Sequence, residues 1–164
     1  MNILIAGVNG NIGSELYRSL RKKFIITSTS FSSGNIKNRF TKLDLTNIDQ
    51  VLNYTKKSND IDILIFLVGL AHSKGKFAQY KDFQKVNHDT LVNLLSSFKK
   101  NKIIPAKIIF ASTISVYGEK LDQNIYEENF VGNPYSPYAV TKLKAEKYLL
   151  TNYGPKSWIL RLAP

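Results

Sequence analysis

Tyr138 and Lys142 stand four residues apart in a stretch patterned as a helix, so both side chains lie on one helical face. A tyrosine hydroxyl ordinarily titrates near about 10. A neighbouring ammonium favours the phenolate and lowers that value, and a proton-transfer group works best near the operating pH. Thr113, just after an apolar run ending at Ala111, adds a hydroxyl that can share the hydrogen bond to a reacting oxygen. The three together suit general acid/base chemistry. Taken alone, the Tyr-Lys spacing is more often that of a core tyrosine beside a surface lysine.

A second constellation opens the chain. Residues 2–6 are a short apolar run, and Gly7, Gly10 and Gly13 follow at intervals of three before a polar stretch with Leu16 and Leu20 one turn apart. The order is strand, glycine-rich turn, helix. A helix N-terminus presents unpaired N–H groups and a partial positive charge, and so holds phosphate. Glycines let the backbone turn sharply and let a pyrophosphate approach.

These residues need a framework. Residues 24–28, 40–43, 61–69, 106–111 and 157–162 read as further strands, the run 61–69 being apolar apart from Asp62 near its start, as in a strand buried on both faces. Between them lie helical patterns. Thr46 and Asp49 form a helix-starting box, with Ile48, Val51, Leu52 and Thr55 along one face. Residues 82–101 carry Phe83, Val86, Leu91, Leu94 and Phe98 at helical spacing, and Pro105 ends the segment. Ser136 and Pro137 are an N-cap and a first-turn proline, and Gly154-Pro155 closes the helix they begin. Strands alternating with helices give a Rossmann-type α/β fold: a doubly wound parallel sheet, helices on both faces, ligands at the carboxyl ends of the strands. We expect one domain over 1–164.

Composition narrows the function. The chain has 164 residues, 43% of them hydrophobic and 12% aromatic, which makes it globular. No run of about eighteen apolar residues is present, so no membrane span is expected. The start shows no basic n-region or cleavage site, so no secretory signal is expected. The sequence has no cysteine, which removes disulfides and thiolate chemistry and accords with a cytoplasmic protein. The net charge is +11, but the basic residues are spread as short pairs and no nucleic-acid motif accompanies them. Solvated lysine-rich faces explain the charge better than a nucleic-acid partner, and no metal ligands are assigned. His72 and His88 stand as lone histidines and read as surface or hydrogen-bonded residues.

Taken together, the motifs resemble the extended short-chain dehydrogenase/reductases, the NAD-dependent epimerase/dehydratase group acting mostly on nucleotide sugars. The resemblance is carried by Gly7-x-x-Gly10-x-x-Gly13, Asp44-Leu45 after the third strand, and residues 67–71 after the fourth. Val86-Asn87, Ser112-Thr113-Ile114-Ser115-Val116-Tyr117-Gly118 and Ser136-Pro137-Tyr138-x-x-x-Lys142 complete it, over essentially the whole chain.

The resemblance implies roles. Gly7, Gly10 and Gly13, with Asn9, Asn11 and Ile12 between them, would hold the pyrophosphate of a nicotinamide dinucleotide. Asp44 and Leu45 would contact its adenine, and Leu67, Val68 and Gly69 would line its site. Tyr138 would be the general acid/base, Lys142 would bind the nicotinamide ribose and tune Tyr138, and Thr113 would orient the substrate oxygen. The partner would be a nucleotide sugar, and a homodimer would form through the helices of 82–101 and 137–152. The family resemblance favours NAD over NADP. The residues leave the choice open, because the acid that reads the adenosine ribose after the second strand is missing. Residues 27–33 supply hydroxyls instead, with Lys37 and Arg39 beyond.

Departures narrow the subclass. The related 4,6-dehydratases place Asp-Glu after the Ser/Thr, where this chain has Ile114 and Ser115, and cysteine-dependent members are excluded. A 4-epimerase and a 4-keto-sugar reductase remain. Residues 2–16 and 154–161 are similar to dTDP-4-dehydrorhamnose reductases, and Thr113-x-x-Val116-Tyr117-Gly118 is more epimerase-like. Family members continue well beyond 164 residues, so the C-terminal substrate subdomain is expected to be missing and the chain to bind cofactor with little turnover alone. A non-catalytic dinucleotide-binding or sensor protein of the same fold is the alternative.

Overall fold

The structure, a computed structural model, describes residues 1–31, 40–71, 77–118 and 132–163. Its elements run β1 (Asn2–Ala6), α1 (Asn11–Leu20), β2 (Ile25–Ser30), β3 (Thr41–Lys42), α2 (Ile48–Lys56), β4 (Ile63–Phe66), α3 (Tyr80–Gln84), α4 (Thr90–Lys100), β5 (Lys107–Thr113), α5 (Pro137–Tyr153) and β6 (Ser157–Leu162). A π-helical turn, Lys85–Asp89, joins α3 to α4, and a 3-10 turn, Ile114–Tyr117, follows β5.

The six strands form one parallel sheet in the order β3-β2-β1-β4-β5-β6. This is the doubly wound arrangement, whose strand order reverses between β1 and β4, where such sheets open a crevice at their carboxyl ends. Leu4, Leu64, Phe66, Ile108 and Phe110 face α2, α4 and α5 in the larger core. Ile3, Ile5 and Ile65 face the other way, where α1 covers them with Tyr17.

The unequal covering follows from handedness. Right-handed crossovers that step toward β6 all lay their helices on one face. Among the described residues no helix covers the opposite face of β5 and β6, and Trp158 and Leu160 there are 55% and 46% exposed. The Lys107 ammonium sits over the Trp158 ring at 4.4 Å.

Several local expectations shift. The second strand extends to Ser30, because the Thr29 carbonyl accepts the Gly7 and Val8 amides at 2.9 and 3.2 Å. The N-cap of α2 is Asn47, whose side chain accepts from the Asp49 and Gln50 amides, both at 3.1 Å. Thr46 is instead tied to Asp44: its amide and hydroxyl reach Asp44 Oδ1 at 2.9 and 2.7 Å. The single helix expected over 82–101 is divided by the π turn. Ser136 caps α5 as expected, accepting from the Ala139 amide at 3.3 Å.

Candidate active site

The turn after β1 is built around two glycines with different reasons to be glycine. Gly7 has φ +91°, and a Cβ on it would stand 3.1 Å from the Leu67 carbonyl carbon and the Val68 amide. A Cβ on Gly13 would fall 2.4 Å from the Gly7 oxygen and 2.8 Å from Val8 Cα. So α1 starts hard against β1, and β1 hard against the chain leaving β4. Gly10 is the N-cap of α1 and contributes no side chain, no acid stands in the first turn, and Ile12 is exposed there. Such a helix start, uncapped and without carboxylates, fits the phosphates of a dinucleotide.

Asp44 and Leu45 follow β3. The Asp44 carboxylate is engaged by Thr46, and the Leu45 side chain lies in the larger core, with its carbonyl accepting from Asn93 Nδ2 at 3.0 Å. The Leu45 side chain is therefore core packing. Lys37, Arg39 and His72 lie outside the described residues. His88 pairs with Asp89 at 2.7 Å and meets the edge of Tyr148.

The chain leaving β4 is held by Asn87, which is fully buried in the π turn. Its Oδ1 accepts the Leu70 amide at 2.7 Å, and its Nδ2 donates to the Leu70 carbonyl at 3.3 Å and to Thr141 Oγ1 at 3.2 Å. One side chain thus fixes residues 69–70 against α5. The widened turn that aims it has no signature in apolar periodicity.

Thr113, Tyr138 and Lys142 converge. Thr113 ends β5, and its hydroxyl accepts from the Ser115 amide at 3.2 Å. The Thr113 and Tyr138 hydroxyls share a hydrogen bond that lowers the Tyr138 pKa, but burial outweighs it and pushes that pKa above the ordinary 10.0. This corrects the expectation of a Tyr138 lowered by Lys142. The reason is where the ammonium goes: Lys142 Nζ donates to the Ala111 carbonyl at 2.8 Å and sits 4.6 Å from the centre of the Phe110 ring.

Lys142 is not a surface lysine. It is 4% exposed, and burial pulls its pKa down to about 8 against the opposing pull of Glu146. A Cβ on Gly69 would stand 3.3 Å from its Nζ, so the glycine is what leaves the ammonium approachable. The turn at Gly7, the strand exit at Gly69, and Thr113, Tyr138 and Lys142 lie in succession along the carboxyl ends of β1, β4 and β5. The sequence reading missed Glu146 and Arg161, because charged residues at helix and strand positions look like solvated ones.

The NAD dependent epimerase/dehydratase family matches residues 3–163. The chain belongs to this family. It is 31% identical to an uncharacterized UDP-glucose epimerase of Bacillus subtilis over 90% of the chain and 50% of that protein. A UDP-glucose 4-epimerase of Thermus thermophilus, solved in complex with NAD, superposes with a TM-score of 0.82 at 25% identity, over 98% of this chain and 54% of that one. An L-threonine dehydrogenase of Clostridium difficile superposes equally well, with a TM-score of 0.82 at 26% identity, over 98% of this chain and 52% of that one. The chain therefore spans about half the length of the relatives it matches.

Proposed function

We propose that the chain is the cofactor-binding half of an NAD-dependent nucleotide-sugar epimerase or 4-keto-sugar reductase. The observation that carries this reading is the convergence of Thr113, Tyr138 and Lys142 at the sheet edge that also holds the glycine turn. The amides at the start of α1 would bind the pyrophosphate, Lys142 the nicotinamide ribose, and Leu67 to Gly69 the face between them. The dinucleotide, when bound, accepts or returns a hydride.

The protein's part is proton transfer at the sugar oxygen. The Tyr138 hydroxyl, its pKa raised by burial above the ordinary 10.0, is protonated at neutral pH, which suits it to donate as a ketone becomes an alcohol. Thr113 holds that hydroxyl and the substrate oxygen in one hydrogen-bonded pair. In the opposite direction Tyr138 must first lose its proton, and the hydrogen bond from Thr113, which lowers the Tyr138 pKa, supports that loss. The name of the Bacillus subtilis relative supports a UDP-sugar as substrate. The dehydrogenase neighbour makes an amino acid alcohol the competing substrate class.

Titration of the purified chain with NADH, and separately NADPH, followed by energy transfer from Trp158, tests the reading. Saturable NADH binding is expected. A folded chain that binds neither would overturn it. Tyr138→Phe should leave NADH binding intact while lowering any turnover of UDP-glucose or a 4-keto sugar by about 10²–10⁴-fold. Turnover of L-threonine with none of a UDP-sugar would replace the sugar substrate.

A further inference from the structure

Glu146 lies one helical turn beyond Lys142 on α5 and is 1% exposed, and no step proposed above uses it. Among the described residues, its side-chain hydrogen bonds come from other elements. Ser112 Oγ on β5 donates to its Oε1. Arg161 on β6 donates from Nε to both oxygens at 3.3 Å and from Nη2 to Oε2 at 2.8 Å. The Arg161 guanidinium also lies over the Tyr117 ring at 4.7 Å, in the turn that follows Thr113.

Two features make this more than a fastening between α5 and β6. First, Ser112 directly follows Ala111, the residue whose carbonyl accepts the Lys142 ammonium. Adjacent residues of β5 therefore seat Lys142 and Glu146, and the turn of α5 between them is fixed at both ends. Second, an ion pair buried only for stability is easily replaced by apolar packing. That offers no reason for the carboxylate to stand one turn from a buried ammonium. Among the described residues, the titratable and charged groups around Lys142 are Tyr138 and Glu146 on its own helix, Arg161 on β6 behind Glu146, and Tyr117 behind Arg161. β4 and the π turn meet it with uncharged groups, the Gly69 backbone and Asn87, and β5 with the Phe110 ring and the Ala111 carbonyl.

We infer that Glu146 is a positioning residue for Lys142: anchored by Ser112 and Arg161, it fixes the α5 turn that carries the lysine, and its carboxylate keeps the buried ammonium charged. The functional consequence rests on the proposed cofactor role of Lys142; the charge coupling itself does not. Arg161, on the far side of the carboxylate, opposes the effect by sharing it. Breaking the same ion pair from its two ends should therefore act on Lys142 with opposite signs.

The test follows the Lys142 titration by NMR in protein carrying ε-¹³C lysine, with the resonance assigned through Lys142→Arg. Glu146→Gln is expected to lower the midpoint by about one unit or more, as for loss of an opposite charge nearby. Arg161→Gln is expected to raise it, and Ser112→Ala to leave it nearly unchanged. Shifts of the same sign in the first two variants, or none, would overturn the inference, since a purely structural pair makes both variants alike. If Glu146→Gln does not fold, Arg161→Gln decides alone: a rise supports the inference and a fall or no change defeats it. The pH midpoint of NADH binding, measured in the same variants, should move with Lys142. Opposite NMR shifts without NADH binding by any form would leave the coupling standing and defeat the cofactor reading instead.

Discussion

Gly69 lies directly over the Lys142 ammonium: a Cβ on it would stand 3.3 Å from Lys142 Nζ and 3.4 Å from Asn87 Oδ1. The contact is tight but not impossible, so the fold can absorb a small side chain by shifting the lysine. A branched one would also fill the space above the ammonium. Gly69→Val should weaken NADH binding tenfold or more, about 1.4 kcal/mol. The loss should exceed that of Gly69→Ala, with thermal denaturation run alongside to separate affinity from stability.

Two glycines of the turn differ in the room they leave for a side chain. A Cβ on Gly13 meets only backbone, at 2.4 and 2.8 Å, and backbone cannot yield cheaply. Gly13→Ala should cost about 1–3 kcal/mol of stability, the usual penalty for overpacking. A Cβ on Gly10 meets nothing closer than the Gly7 oxygen at 3.4 Å. Gly10→Ala should therefore melt like the parent in urea while binding NADH more weakly.

The folded chain holds the Lys142 proton less tightly than an unfolded one, about 8 against 10.5. Between those values the unfolded state binds more protons, so this group's contribution to stability rises with pH and is a net cost at neutral pH. Lys142→Met should raise the melting temperature at pH 7 by several degrees, at about 2–4 °C per kcal/mol for a chain of this size. The gain should shrink toward nothing as the pH approaches 10.5. A constant difference across that range would show that the ammonium is not the cause.

Asn87 satisfies both polar groups of Leu70 while reaching Thr141. Asn87→Leu should strand the Leu70 amide at a cost of about 1–3 kcal/mol. Hydrogen exchange should then speed up at residues 69–70 ahead of the core amides of β4.

Much of this was legible because the chain punctuates itself. Gly7, Gly10 and Gly13 mark the first turn, Ser136-Pro137 the start of α5, and Gly154 its end. What stayed hidden depends on partners far off in sequence. Thr29 and Ser30 look like loop residues until the Gly7 amide needs the Thr29 carbonyl. Thr46 and Asn47 are both good N-caps, and only the Asp44 carboxylate, by claiming Thr46, decides between them. Lys142 and Glu146 look solvated in a helix pattern, and their burial is set by β5 and β6 behind them.

The parallel sheet has a consequence for the order in which the protein comes into being. The glycine turn precedes α5 and β6 in the chain, yet it faces a strand exit that Leu67 ties to β1 and Asn87 ties to α5. β1 cannot be flanked on both sides until β4 has emerged, and β5 waits for β6. Before β4 is in place the glycine turn has nothing opposite it. A dinucleotide site of the kind proposed is complete only once β4, the π turn and α5 have folded together, as one event rather than by degrees.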